Sequence, residues 1–222
     1  MQFSYTWSHE IDLANGDLAR LSNPFNADYD RSSGSLDRRH IFSANYIYSL
    51  PFFKNGNLLE RQVLSGWQIS GITIANSGTP VAISYGPDTL GLGGGVSNRA
   101  DLVPGVSTKG PKSQKQYFNT AAFSAPVAAW NSPDPSAPNA GFGNSGKDKV
   151  VGPGRFNTNL SIFKSFPILK EGLRLQIRAE SYNTFNHTQF QNLDSGFTDG
   201  NFGQVTSAWD ARSFQFGGKL LF

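Results

Sequence analysis

The sequence predicts an all-β protein, an antiparallel up-and-down sheet of about six strands, and three observations predict it. The composition is low in charge and high in aromatics and glycine, with 16% charged residues, 13% aromatics and 24 Gly in 222 residues. Six segments alternate apolar and polar residues with a period of two, the pattern of a strand that has one apolar face. The connections between these segments alternate long, short, long, short, long, and no segment carries a convincing helical period.

Taken in order, the first strand is expected over about 2–11, where Phe3, Tyr5 and Trp7 alternate with polar residues. The second, about 39–50, places Phe42, Ala44, Tyr46, Tyr48 and Leu50 on one face. The third, about 63–75, leads through Ser77-Gly78-Thr79-Pro80 into a short extended piece, 81–85. The fourth is expected over about 156–166, with Leu160 and Ile162 on one face. The fifth, about 173–183, is the clearest: Leu173, Leu175, Ile177 and Ala179 face one way, Arg174, Gln176, Arg178 and Glu180 the other. The sixth, about 212–222, sets Phe214, Phe216, Leu220 and Phe222 against Ser213, Gln215 and Lys219. Residues 12–38, 86–155 and 184–211 are the long polar loops; 51–62 and 167–172 are the short turns.

Composition also excludes. There is no cysteine, hence no disulfide framework, thiolate metal site or cysteine nucleophile. No run approaches the ~20 apolar residues of a membrane-spanning helix. Nineteen basic and 16 acidic residues are scattered along the chain. They form no basic stripe, so no nucleic-acid partner is expected despite a pI of 9.2. The N-terminus lacks the basic and apolar regions of a secretory signal and runs straight into a strand.

A structureless loop of about seventy residues is unusual in a compact soluble domain. Long loops at one end, short turns at the other and ~10-residue alternating strands are the habit of an outer-membrane barrel. On that register both chain ends lie at the short-turn, periplasmic side. Alternation alone leaves a soluble β-sandwich open, because its charged face would meet bulk water. Aromatics near the short turns (Tyr46, Tyr48, Phe52, Phe53, Trp67, Phe166, Phe222) favour a transmembrane β-barrel segment, where they would form an interfacial girdle.

The alternating end of the chain, Phe214, Phe216, Leu220 and Phe222, is similar to the C-terminal assembly signal of outer-membrane proteins. Tyr5-Thr6-Trp7-Ser8, Asp37-Arg38-Arg39-His40-Ile41-Phe42, Gly66-Trp67-Gln68-Ile69-Ser70-Gly71 and Ser77-Gly78-Thr79-Pro80 resemble strand motifs of TonB-dependent outer-membrane transporters, in particular the Oar-like group. Asn98-Arg99-Ala100-Asp101, the segment Tyr117–Phe123 and Phe142-Gly143-Asn144-Ser145-Gly146 resemble that family's long loop. Leu160-Ser161-Ile162-Phe163-Lys164, Arg178-Ala179-Glu180, Phe185-Asn186-His187 and Phe202-Gly203-Gln204-Val205 resemble its last strands in order. The resemblance implies a barrel of about 22 strands, of which about six would be roughly a quarter of the wall. It also implies an upstream signal peptide, a β-sandwich domain and a plug with its TonB box, so the chain is expected to be a C-terminal fragment, with Met1 an interior residue. The partners implied are outer-membrane lipid, the barrel-assembly machinery acting on the last strand, an unknown solute, and the TonB complex only through the plug.

Other motifs are set aside. Gly141–Asp148 nearly spells a phosphate-binding loop, but Asp148 stands where Ser or Thr must hold Mg²⁺. Gly91–Gly95 lacks the βαβ context of a dinucleotide site. His9, His40 and His187 lack the close-spaced partners of a zinc site. Asp28, Asp30 and Asp37 in the first long loop have the chemistry for Ca²⁺ without the EF-hand pattern. Two glycosylation sequons, at Asn159 and Asn186, are discounted for a bacterial compartment. No catalytic, cofactor-binding or metal residue is assigned. The expectation is a wall segment of a transporter in the bacterial outer membrane, not an enzyme, with Arg174, Gln176, Arg178, Glu180 and Lys219 facing the lumen. The rival is a soluble extracellular β-sandwich module for carbohydrate, with Trp130 and Trp209 in its loops.

Overall fold

The computed structural model describes residues 1–13, 21–52, 55–93, 98–168 and 172–222. Six strands form one sheet: β1 (Gln2–Trp7), β2 (His40–Ser49), β3 (Gln68–Asn76), β4 (Arg155–Pro167), β5 (Arg174–Tyr182) and β6 (Ser213–Leu221). They lie side by side in chain order, and each pair of neighbours is antiparallel.

Register assigns the two faces. Tyr48, Ile69, Ile162, Ala179 and Phe216 stand in one row across five strands; the next row is Ile47, Ser70, Ser161, Glu180 and Gln215. Side chains alternate along each strand, so the first row marks an apolar face and the second a mostly polar one. The apolar face is uncovered: Trp7 is 64% exposed, Phe216 79% and Phe222 fully. In a sandwich this face would be the core. Here the buried hydrophobic cluster lies elsewhere, in the long loops.

Strand limits differ from expectation for local reasons. The chain leaves the wall after Trp7 because the Asp37 carboxylate accepts from the Glu10 amide (3.1 Å) and Nδ1 of His9 (3.1 Å), and Ile11–Asp12 then pair with Ser32–Ser33. The third strand starts at Gln68, not 63: residues Leu58–Val63 form a short helix, α1. Asn57 and Glu60 close a reciprocal capping box on it, two side-chain bonds that satisfy amide donors otherwise orphaned at a helix start. The extended piece 81–85 divides into Pro80–Val81 and Ser84–Tyr85, which pair with different partners. The fifth strand stops at Tyr182 because Asn183 adopts a left-handed φ of 49°. Of the aromatics placed near the short turns, Phe53 lies outside the described residues.

The long loops are not structureless. They interlock as a cap at one end of the sheet. Among the described residues four two-stranded ribbons cross between loop segments, pairing Ile11–Asp12 with Ser32–Ser33, Pro80–Val81 with Val150–Val151, Ser84–Tyr85 with Asn98–Arg99, and Asp101–Leu102 with Phe123–Ser124. Their core gathers Ile83, Ala100, Phe118, Phe123, Val150 and Val205. Phe118 meets Phe202 and Phe123 edge-on, at centroid distances of 5.2 and 5.7 Å, the arrangement preferred by ring quadrupoles.

A buried polar lock ties the first loop to the second. Arg99 pairs with Asp30 at 2.8 Å, donates to the Tyr29 carbonyl at 2.7 Å and stacks on the Tyr29 ring at 3.8 Å. Asn98 completes it, donating to Thr89 Oγ1 and the Gly141 carbonyl while accepting from the Gly143 amide. Gly143 presses so closely that a Cβ there would sit 1.8 Å from the Arg99 carbonyl oxygen. Burial pushes the Asp30 carboxyl up, but the Ser22 amide and the Arg99 guanidinium outweigh it and hold the group below the ordinary value. Asp37 is held down in the same sense, by the Glu10 amide, Arg39 and His9 against burial. Burial pushes the Tyr29 hydroxyl up to about 12, helped by Asp30 and Asp101 and opposed by Arg99.

Removing one partner from a buried ion pair leaves an uncompensated charge, at a cost of roughly 3–5 kcal/mol. Arg99→Ala is therefore expected to open the 21–39 segment while the sheet persists; limited proteolysis in membranes would show new cuts confined to the cap. The lock is also pH-dependent. The lowered carboxyls, Asp30 and Asp37, contribute stability that is present above the unfolded carboxylate value and lost as pH falls below it. The raised Tyr29 phenol contributes stability that is complete below its ordinary value of 10.0 and lost as pH rises toward about 12. Protection factors of the cap amides, taken against the intrinsic exchange rate at each pH, should be highest between these limits and fall toward both.

Candidate functional site

The candidate site is the polar face of the sheet together with its junction to the cap. Along β5, Arg174, Gln176, Arg178 and Glu180 occupy alternate positions, and Lys219 on β6 stands opposite Gln176. All five therefore lie on one face. Arg178 reaches Glu180 at 3.0 Å, and its guanidinium lies 6.0 Å from the centre of the Phe163 ring. Gln176 donates to Ser165 Oγ at 3.4 Å.

Tyr182 belongs to the same row and was not among the residues singled out from sequence. Its hydroxyl hydrogen-bonds Glu180 at 3.2 Å and Gln215 at 3.4 Å, bridging β5 to β6. Extending the period of two by one step from Glu180 would have found it. The face is not wholly polar, since Ile47 and Ile72 are exposed on it. A trough of about 580 Å³ runs across β1 to β5 on this side, floored by residues such as Gln2, Asn45, Ser70, Asn159, Ser161 and Arg178. A depression spanning that many strands requires the polar face to be concave there. Phe214, Phe216, Leu220 and Phe222 sit on the opposite, apolar face and are exposed.

A second cavity, about 600 Å³, lies where β3 and β4 enter the cap. Its lining includes Arg38, Asn76, Arg155 and Trp209, drawn from three loops and two strands, which no sequence spacing brings together. Arg155 and Asn76 are register partners, and Arg155 stacks on Trp209 at 4.1 Å. The motifs quoted from the sequence prove to be pairs in space. The Ser77 amide donates to the His40 carbonyl and the His40 amide to the Ser77 hydroxyl, Arg38 donates to the Ser77 carbonyl, and the Tyr117 amide donates to the Gly203 carbonyl. Gly78 allows the chain after β3 to lie against Gly152, whose carbonyl oxygen would be 1.8 Å from a Cβ.

The other singled-out residues are engaged locally. In the phosphate-loop look-alike, the amides of Gly143, Asn144 and Ser145 donate to Asn98, Asp101 and Ala100, and Asp148 accepts from Ser33. His9 pairs with Asp37, His40 with the Tyr5 hydroxyl, and His187 lies between the Phe156 and Phe185 rings. Asp30 and Asp37 face cations, not each other. Among the described residues no helix is long and apolar enough to cross a membrane.

A family model described as an outer membrane beta barrel domain matches residues 1–215. No curated protein and no solved structure matches the chain. With one face of the sheet apolar and uncovered, the other polar and hollowed, and nearly the whole chain matched, the chain belongs to the outer membrane β-barrel domain family and forms a stretch of barrel wall in the bacterial outer membrane.

Proposed function

We propose that this wall belongs to a TonB-dependent transporter for large or scarce solutes. The observation that carries the reading is the hollowed, charged face of the sheet beneath an interlocked cap of long loops. A wall around a wet lumen needs lumen-facing polar residues and lipid-facing apolar ones. Arg174, Gln176, Arg178, Glu180 and Lys219 would line the lumen. The motif resemblance across the strands and the long loop supports the TonB-dependent, Oar-like assignment over other barrels.

The sheet has two edge strands, β1 and β6. Hydrocarbon cannot satisfy a row of unpaired N–H and C=O groups, so such an arc stands in a membrane only when further strands close it. In this reading the arc alone does not transport. Energy reaches it through a plug and the inner-membrane TonB complex, and the barrel-assembly machinery reads β6 through its apolar row. No catalytic step is assigned.

The cysteine-free chain gives a clean background for single-cysteine labelling in outer-membrane vesicles. Cysteines replacing Gln176, Arg178 or Lys219 should react with a charged, membrane-impermeant maleimide; those replacing Leu175, Ala179 or Phe216 should react only with a lipid-soluble one. The reverse pattern, or equal reactivity, would overturn the wall orientation. The transport half is tested by solute uptake in cells with and without the TonB complex. Uptake that is indifferent to the complex would reject it and leave the wall intact.

A further inference from the structure

We infer that the cavity between wall and cap binds a solute that carries a carboxylate on a ring-shaped body. The inference rests on the reading of the polar face as the lumen side and names the solute class. The cavity, about 600 Å³, falls within the size of small-molecule sites and draws on the strand ends and all three long loops.

Its charge is one-sided. Several cations elsewhere have a carboxylate partner: Arg99 has Asp30, Arg39 has Asp37, Arg178 has Glu180 and Lys147 has Asp12. Arg38 and Arg155 both line this cavity, no lining residue is acidic, and neither guanidinium has a carboxylate in ion-pair reach among the described residues. Two unmatched cations at one concavity favour an anion.

The geometry narrows the anion. The Arg155 guanidinium lies over the Trp209 ring at 4.1 Å, which holds its planar fork in one orientation. Its Nε is buried and has no acceptor among the described residues. A planar carboxylate matches such a fork with two parallel bonds. Across the β3–β4 register, Asn76 Oδ1 is likewise buried and without a donor among the described residues, an acceptor suited to a hydroxyl of the solute. Arg38 is steadied by the Ser77 carbonyl at 2.8 Å, and among the described residues its other side-chain donors have no partner. Trp209 is still 41% exposed despite Arg155, and with Phe190 it offers an apolar surface for a ring. An acidic sugar such as a uronate combines these features.

The test is titration of the detergent-purified protein, read by tryptophan fluorescence, with galacturonate, galactose, citrate and inorganic phosphate as probes. Galacturonate should saturate, and galactose, which lacks the carboxylate, should not. Arg155→Gln should weaken galacturonate roughly tenfold or more, the loss expected for a charge-assisted bond. Arg155→Lys, which keeps the charge and loses the fork, should also weaken it. Trp209→Phe, read by calorimetry, should weaken galacturonate more than citrate. Heat-modifiable gel mobility checks that each variant folds, and Arg38→Gln is a second probe should Arg155 variants fail. Equal binding of galactose, tighter binding of phosphate than of either carboxylate, no saturation by galacturonate, or folded arginine variants with unchanged affinity would each overturn the inference. Its failure is separable from failure of the lumen reading, which cysteine labelling tests independently.

Discussion

Backbone amides and carbonyls cannot be left unpaired in hydrocarbon, and the architecture of this chain follows from that constraint. A meander of antiparallel strands pairs each interior strand on both sides with its neighbours in sequence. With the backbone so engaged, the side chains are free to divide by solvent. Polar groups that fall on the apolar face find local partners: Thr73 and Thr158 bond hydroxyl to hydroxyl at 3.1 Å. Lys164, on the same face by parity, reaches along the wall to the carbonyls of Gln62 and Ser65. These carbonyls lie at the C-terminal end of α1, where a cation is electrostatically favoured. Gly71 leaves a gap in that face which its register partner Tyr46 covers.

In the cap, the ordering of soluble proteins returns. Apolar side chains turn inward, rings meet edge to face and an ion pair is buried. One chain thus carries two opposite hydrophobic patterns, outward-facing in the wall and inward-facing in the cap. This explains how a chain with few charged residues folds without a single central core. The wall brings the loop ends together along one rim, and the cap's contacts in turn decide where Arg38, Arg155 and Trp209 stand relative to β3 and β4.

The wall was legible in the sequence because its signal is local. A period of two over nine residues, as in Arg174–Tyr182, needs no knowledge of distant contacts. The orientation of Arg174, Gln176, Arg178, Glu180 and Lys219 onto one face of the sheet follows from the same alternation. The cap was not legible, because its order is non-local. Asp30 meets Arg99 across 69 positions and Asn23 meets Pro138 across 115, and each ribbon contributes only two residues per strand, too few for any periodicity. α1 was missed for a related reason: at six residues it is too short to show a helical repeat, although Asn57 and Glu60 spelled its capping box. The junction cavity combines both difficulties, since its two arginines lie on opposite sides of the second and third strands in sequence.

The close glycine contacts of the cap bear on how such a surface evolves. Gly78 against Gly152 and Gly143 against Arg99 are backbone-to-backbone contacts between segments far apart in the chain. An insertion in one part of the β3–β4 loop shifts a surface that another part of it was shaped to meet, so their lengths cannot drift independently. Substitution is tolerated instead at exposed side chains such as Phe25, Leu36 and Trp130. The outer surface can thus change its identity residue by residue while the framework beneath it stays fixed.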